Sequence, residues 1–347
     1  MGGPTEIDEV EAIKDIYREA GRSKNTHATY LQAVKHYRDI CGNPLPATTK
    51  DVSDYIATQA RNVKVSTLRV RLAGISKWHK SQGFFDPTSS AAVKELMKGI
   101  AKVHNEEQTQ AYPLTFAHLR VLCDHLEAEK LLAIQREDQV SILRLHRDIA
   151  IILCGFWQGF RSDELSRIRV EDVKFHNDRM TIFIPYSKTD AGAAGRKCEL
   201  PRLKLYCPVS AFRSWVQLAG IENGAAFRKI DRWGNISDRG INKRTVERVL
   251  QAPSEKLFPG ERKFTTHSLR QGFADWAVDM DWSEKTIMDH VGWQSIQSAR
   301  RYIPARRDFG DLAVAPPNRR IDAPDINHGD RPGLTLIATA REIDENK

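Results

Sequence analysis

Apolar and polar positions alternate along most of this chain at helical spacing, interrupted by turn residues and by a short stretch of strand-like runs. From Ser23 the helical signal is strong: residues 26–41 set Tyr30, Ala33, Val34, Tyr37, Ile40 and Cys41 on one side. Gly42-Asn43-Pro44 breaks that run, and Thr49-Lys50-Asp51 opens a second helix with Val52, Tyr55 and Ile56 inward. Residues 65–82 predict a third, with Leu68, Leu72, Ile75, Trp78 and His79 inward and Arg69, Arg71, Lys77 and Lys80 outward. After Asp86-Pro87 a fourth carries Val93, Leu96, Met97, Ile100 and Val103. Together they predict a small all-α bundle over residues 21–104, preceded by a weakly held lead-in, 1–20, with a short helical pattern at 10–17.

Residues 105–113 are polar, unpatterned and closed by Pro113, and they read as a linker. Leu114-Thr115 then opens a helix. Residues 140–158 predict a longer one, apolar on most of its circumference (Ile142, Leu143, Leu145, Ile149 to Leu153, Phe156) and therefore destined for a core. Gly159 ends it, and Ser162 or Asp163 caps the next, leaving Arg161 at a helix-to-helix corner. Strands are expected at 168–170, 180–186 and 198–203, the last two joined by a Gly/Ala-tipped hairpin that carries Lys188. Helices resume at 209–219 and 240–250. Residues 265–303 then predict three short helices. Thr266 caps the first, which turns Leu269, Phe273, Trp276 and Ala277 inward. Asp281 or Ser283 opens the second (Ile287, Met288, Val291), Gly292 ends it, and Ser295 caps a third with Ile296, Ala299 and Ile303 inward. A further small helix is expected at 308–314. The tail beyond it, rich in Pro, Asp and Gly, reads as flexible.

With 347 residues and 41% hydrophobic content the chain can bury a sizeable core and suits two domains. Its net charge of +8 is not spread evenly: between Gly21 and His104 there are 14 Lys and Arg against 5 Asp and Glu. That segment accounts for the whole imbalance, which points to nucleic acid as its partner. Small polar and basic residues at two helix starts (Lys24 and Thr26; Ser66, Arg69 and Arg71) are of the kind that meet phosphates and base edges when a helix end enters a major groove. Five cysteines, odd in number and without CxxC or Cys/His spacing, argue against disulfides and zinc and for a reducing cytoplasm. Neither a signal peptide nor an apolar run of membrane-spanning length is evident.

His267-x-x-Arg270 at a helix start is a natural anion site, because free N–H groups already point outward there. Tyr302, among Arg300, Arg301, Arg306 and Arg307, could attack a phosphate held nearby. Taken singly, each feature is also what an ordinary capped helix or amphipathic surface residue looks like. Their order changes that: Arg161 with Glu164 three residues on, Lys188 on a hairpin, His267-x-x-Arg270, Trp293, and Tyr302 nine residues later.

This series resembles the tyrosine site-specific recombinases, the phage integrase family, whose pattern is Arg, Lys, His-x-x-Arg, His or Trp, then Tyr. The likeness spans about three hundred residues and is strongest to the two-domain, Cre-like type, through Trp at 293 and the phrases FRSDELSRIRVEDV and INKRTVERVL. It implies a mainly α protein, with a four- or five-helix core-binding domain (21–104) and a mixed α/β catalytic domain with a small antiparallel sheet (114–315). A tail follows at 316–347. It further implies a DNA strand-exchange enzyme forming a 3′-phosphotyrosine. In that enzyme Arg161 and Arg270 clamp the phosphate, Tyr302 attacks, His267 takes or shares its proton, and Lys188 protonates the leaving oxygen. Trp293 donates its indole N–H, and Glu164 orients His267 or the clamp. Arg244 falls where the family enters the major groove, as a reader of guanine or as a phosphate contact. The implied partner is double-stranded DNA with inverted-repeat half-sites, bound by a homotetramer across two sites, with a monomer or weak self-association off DNA. No metal, ATP or other cofactor is expected. Two readings compete: a DNA-binding protein that uses this fold without cleaving, and a type IB topoisomerase or telomere resolvase.

Overall fold

Turn and capping residues fix where these elements start and stop. The computed structural model describes residues 24–104, 111–185, 195–261, 263–300 and 302–303, and the chain separates into two compact units, 1–109 and 110–347. The expected helices at 10–17 and 308–314, the Lys188 hairpin and the tail lie outside the described residues.

The first unit holds α1 (Lys24–Lys35), extended by one wider turn at His36–Ile40, then α2 (Thr49–Gln59), α3 (Val65–Ser81) and α4 (Ala91–Val103). Thr48 caps α2 by accepting from the Asp51 N–H while the Asp51 carboxylate returns a bond to the Thr48 N–H. The core is Tyr37, Val52, Tyr55, Ile56, Leu68, Ile75, Val93 and Ile100. Ile40 and Val103, expected inward, are exposed because each falls at a fraying helix end. Arg71, expected outward, is half-buried and donates to the Gln59 Oε1 at 2.9 Å.

The second unit begins with α5 (Phe116–Gln135) and α6 (Gln139–Gln158), followed by α7 (Ser162–Arg167). Ile149–Trp157 of α6 are buried throughout, as its apolar circumference demands. Arg161 itself occupies the N-cap position of α7, one residue before the expected Ser162 or Asp163, because Glu164 reaches back to its N–H. The expected strand at 168–170 is a single bridge, Arg169 to Ala225. The strand lies later, at β1 (Val173–Phe175), antiparallel to β2 (Arg179–Ile184), which pairs in turn with β3 (Arg196–Pro201) in the register Ile182 to Cys198. After α8 (Pro208–Leu218) comes a two-stranded sheet that the apolar pattern did not suggest, β4 (Arg228–Ile230) with β5 (Ile236–Gly240). Both strands are polar and only partly buried, so they lack the alternation that marks a strand. Gly240 consequently belongs to β5, and α9 runs from Lys243 to Leu257 under an Asn242 cap.

The last described elements are α10 (Thr266–Asp279), α11 (Glu284–Val291) and α12 (Ile296–Ala299). The α10 cap is Thr265, one residue before Thr266, and it shares a reciprocal box with Ser268. Ser283 caps α11 and Gly292 ends it in the left-handed conformation, φ 74°. Ile296, expected inward, is exposed, whereas Ala299 is fully buried. Gly272 allows the chain at Leu114 to lie directly on α10, where the Leu114 N–H donates to the Ser268 carbonyl at 3.0 Å. A Cβ at 272 would sit 1.7 Å from the Leu114 carbonyl oxygen. No helix among the described residues is long and apolar enough to cross a membrane, and all five cysteines are free thiols.

Candidate active site

Two helix ends converge on one guanidinium. Arg270, in the first turns of α10, is 1% exposed, and its Nη1 donates to the Gly159 carbonyl at 2.6 Å. Its Nη2 donates to the Val291 carbonyl at 3.3 Å. Gly159 and Gly292 both take left-handed φ at the C-terminal ends of α6 and α11, so the negative ends of two helix dipoles face the buried cation. Burial, then repulsion from Arg161, lowers the Arg270 pKa to about 9, with Glu164 and Tyr302 pulling the other way. It remains a cation at neutral pH.

Arg161 stands half-buried at the N-cap of α7. Its Nη1 donates to the Glu164 Oε1 at 3.0 Å, and Glu164 is 1% exposed. Of the two partners considered for Glu164, Arg161 is one that it engages. It also accepts an ion pair from Arg196 Nη2 at 3.5 Å. Arg196, the first residue of β3, had no motif to flag it. Its Nη1 reaches the His290 carbonyl and its guanidinium lies against Gly292, so it ties the sheet to the α11 end that presents Trp293.

Tyr302 and His267 meet across the open face. The Tyr302 hydroxyl lies 3.0 Å from His267 Nδ1, with the two rings nearly parallel. The Tyr302 ring also stacks on Trp293, centroids 5.1 Å apart at 20°, and the Arg270 guanidinium sits 5.2 Å from the Trp293 ring. His267 is exposed and Tyr302 and Arg161 are half-buried, while Trp293 and Arg270 are buried, which leaves a hydroxyl, an imidazole and the Arg161 guanidinium open to a large anionic ligand. Gln271, next to Arg270, was likewise unmarked by any motif, and it donates to the Tyr302 main-chain carbonyl. Lys188 lies outside the described residues.

The expected DNA contacts are distributed over both units. Thr26, Ser66 and Arg69 are exposed, Arg71 is engaged by Gln59, and Lys24 begins α1. Arg244 is exposed in the first turn of α9.

Comparison with known proteins identifies the family. The sequence profile of the phage integrase family matches residues 122–307, more than half of the chain. An integrase/recombinase XerD homolog of Selenomonas ruminantium is 28% identical over 305 residues, covering 85% of this chain and 86% of that protein. The tyrosine recombinase XerA of Pyrococcus furiosus is 19% identical over 283 residues, covering 81% and 84%. Among solved structures, the Tn1549 transposon integrase in complex with transposon right end DNA aligns with a TM-score of 0.57 at 15% identity, over 85% of this chain and 94% of that one. A lambda integrase dimer bound to a COC′ core site aligns with 0.54 at 16% identity, over 88% and 98%. At these identities the structural likeness establishes the fold. The Cre-like subtype rests on Trp293 and the two sequence phrases alone. On the family match and the shared length, the chain is a member of the phage integrase family, the tyrosine recombinases.

Proposed function

We propose that this enzyme carries out site-specific DNA recombination by transesterification, with Tyr302 as nucleophile. The observation that carries the reading is the Tyr302 hydroxyl at 3.0 Å from His267 Nδ1, its ring stacked on Trp293 beside the buried Arg270. In the proposed step the Tyr302 oxygen bonds to phosphorus, the bond to the 5′-oxygen breaks, and the phenolic proton passes to His267. Arg161 and Arg270 hold the equatorial oxygens as their charge grows, since guanidiniums grip such oxygens in pairs and stay protonated. Glu164 keeps Arg161 in place. The Trp293 indole N–H serves the phosphate, and Lys188 gives its proton to the departing oxygen. Because the phosphotyrosine conserves the ester bond, a 5′-hydroxyl can reverse the step, and rejoining needs neither ATP nor a metal.

The preferred substrate is double-stranded DNA with inverted-repeat half-sites, two such sites being joined in a homotetramer. Lys24, Thr26, Ser66, Arg69, Arg71 and Arg244 are the proposed DNA contacts. The complexes of the Tn1549 and lambda integrases with DNA support that partner. A DNA substrate and free thiols support cytoplasmic residence.

The test uses a nicked duplex carrying a site selected by binding from a random-sequence pool. The intact enzyme is expected to become covalently attached to a 3′ end, and Tyr302→Phe is not. Adduct formation by Tyr302→Phe would remove Tyr302 from the role. Loss of adduct in EDTA, restored by Mg²⁺, would overturn the metal-free step. Exchange between two such sites separates a recombinase from a topoisomerase.

A further inference from the structure

The turn that bears Tyr302 has little of its own to hold it. α12 is four residues long, and among the described residues beyond it the Arg300 N–H bonds back to Ile296 and the Tyr302 and Ile303 N–H groups to Ala299, at 2.9, 2.8 and 2.9 Å. So short a helix cannot fix its register unaided. The Tyr302 ring is positioned through Trp293 and its hydroxyl through His267, but neither contact fixes the main chain.

Gln271 supplies that anchor. It is 8% exposed and lies one turn after His267, hence on the same face of α10. Its Nε2 donates to the Tyr302 carbonyl at 2.5 Å and to the Asp275 Oδ1 at 3.1 Å. Both partners are acceptors, so the amide can face them only with its nitrogen. Asp275, one further turn along, thereby locks the amide against flipping. His267, Gln271 and Asp275 form a ladder at i, i+4 and i+8: the first meets the phenol, the second the main chain, and the third fixes the second.

We propose that Gln271 is a positioning residue for the nucleophile, its side-chain amide seating the Tyr302 backbone so that the phenol meets His267 and the clamped phosphate. The proposal rests on Tyr302 being the nucleophile, and it is scored only where the parent enzyme forms the adduct and Tyr302→Phe does not.

What the site requires at 271 is a donor of sufficient length. Gln271→Leu removes the donor at similar size, Gln271→Glu turns an acceptor toward the Tyr302 carbonyl, and Gln271→Lys restores donation to both partners. Single-turnover adduct formation on the nicked duplex is expected to slow about 3- to 10-fold for Leu, the value of one neutral hydrogen bond, and further for Glu. Lys is expected to recover most of the lost rate, while affinity for the duplex stays within about twofold across the series, since the amide does not touch DNA. In a Tyr302→Phe background, with hydrogen peroxide as the attacking nucleophile, Gln271→Leu is expected to change strand cleavage little. Equal adduct rates for Leu, Glu and the parent would overturn the proposal. So would a Lys variant as slow as Glu, or a parallel loss in the peroxide reaction, which would assign the effect to Arg270 next door. If Leu fails to fold, the Lys and Glu pair, both long and polar, still decides between donor and bulk.

Discussion

The main-chain N–H and the Nη1 of Arg161 both reach one carboxylate, that of Glu164, at 2.9 and 3.0 Å. The same buried carboxylate faces Arg196 at 3.5 Å, so one negative charge separates two guanidiniums. Removing one partner of such a group leaves buried charge uncompensated, at a cost of about 3–5 kcal/mol. Glu164→Ala is therefore expected to lower the unfolding free energy by about that amount, measured in urea. Glu164→Gln keeps an acceptor and the volume but not the charge. It is expected to fold and to slow adduct formation by at least about tenfold, because Arg161 loses its charge-assisted orientation. A Glu164→Gln enzyme with the parent's rate would show that Arg161 is held by other means.

Local chemistry explains how much of this was readable beforehand. Arg161, His267, Arg270, Trp293 and Tyr302 stood out through their order along the chain and the family resemblance it carries, and the elements beneath them through capping: Gly159 and Gly292 at helix ends and Ser283 at a helix start, whereas the Thr265–Ser268 box lay one residue before the expected Thr266 cap. Arg196 and Gln271 were invisible. Each acts through main-chain carbonyls or a distant carboxylate, and a side chain's partner across a fold leaves no periodicity in the sequence. The β4–β5 sheet was missed for the opposite reason, since RKI and ISDRG pair through backbone while burying too little to alternate. Ile40, Val103 and Ile296 misled because apolar spacing was extrapolated to helix ends, where the core no longer lies beneath them.

Glycine positions give a contrast of sign within the same substitution. Gly272→Ala places a methyl carbon 1.7 Å from the Leu114 carbonyl oxygen, in a residue whose own N–H is bonded to the Ser268 carbonyl. The segment must move off α10, at a cost of about 1–3 kcal/mol or more. Gly99, exposed within α4, has nothing within 4 Å of an added Cβ. There alanine is expected to stabilise by about 0.5–1 kcal/mol through reduced backbone entropy. Thermal melting of the two variants checks both signs, and a stabilised Gly272→Ala would mean that the Leu114 contact is not made.

His79, fully buried in the first unit, joins two segments through its two nitrogens. Nε2 accepts from the Ala47 N–H at 2.8 Å, so Nδ1 carries the hydrogen and donates to the Ile75 carbonyl, also at 2.8 Å. His79→Leu fills the space but strands the Ala47 N–H, at an expected cost of about 1–3 kcal/mol. His79→Gln, whose amide oxygen can still accept, is expected to recover part of it. Urea unfolding of the three proteins decides: if Leu and Gln are equally destabilised, the Ala47 bond contributes nothing.

Asp275 carries a penalty that depends on pH. Burial raises its pKa to about 6; the bond from Gln271 opposes that rise, and a weaker repulsion from Asp279 adds to it. In the unfolded chain an aspartate titrates near about 3.9. Between those values the folded state keeps a proton that the unfolded state has lost, so this residue's contribution to stability falls as pH rises from about 4 to about 6 and stays low above. Asp275→Asn keeps an acceptor for the Gln271 amide while removing the ionisation. The variant is expected to melt higher than the parent above about pH 6, with the difference shrinking through the window and vanishing near pH 4. Since Asn preserves the lock on Gln271, adduct formation should change little at the pH where the stability gain is greatest. A gain independent of pH would assign the effect to packing, and a gain that grew toward acid would reverse the sign argued for Asp275.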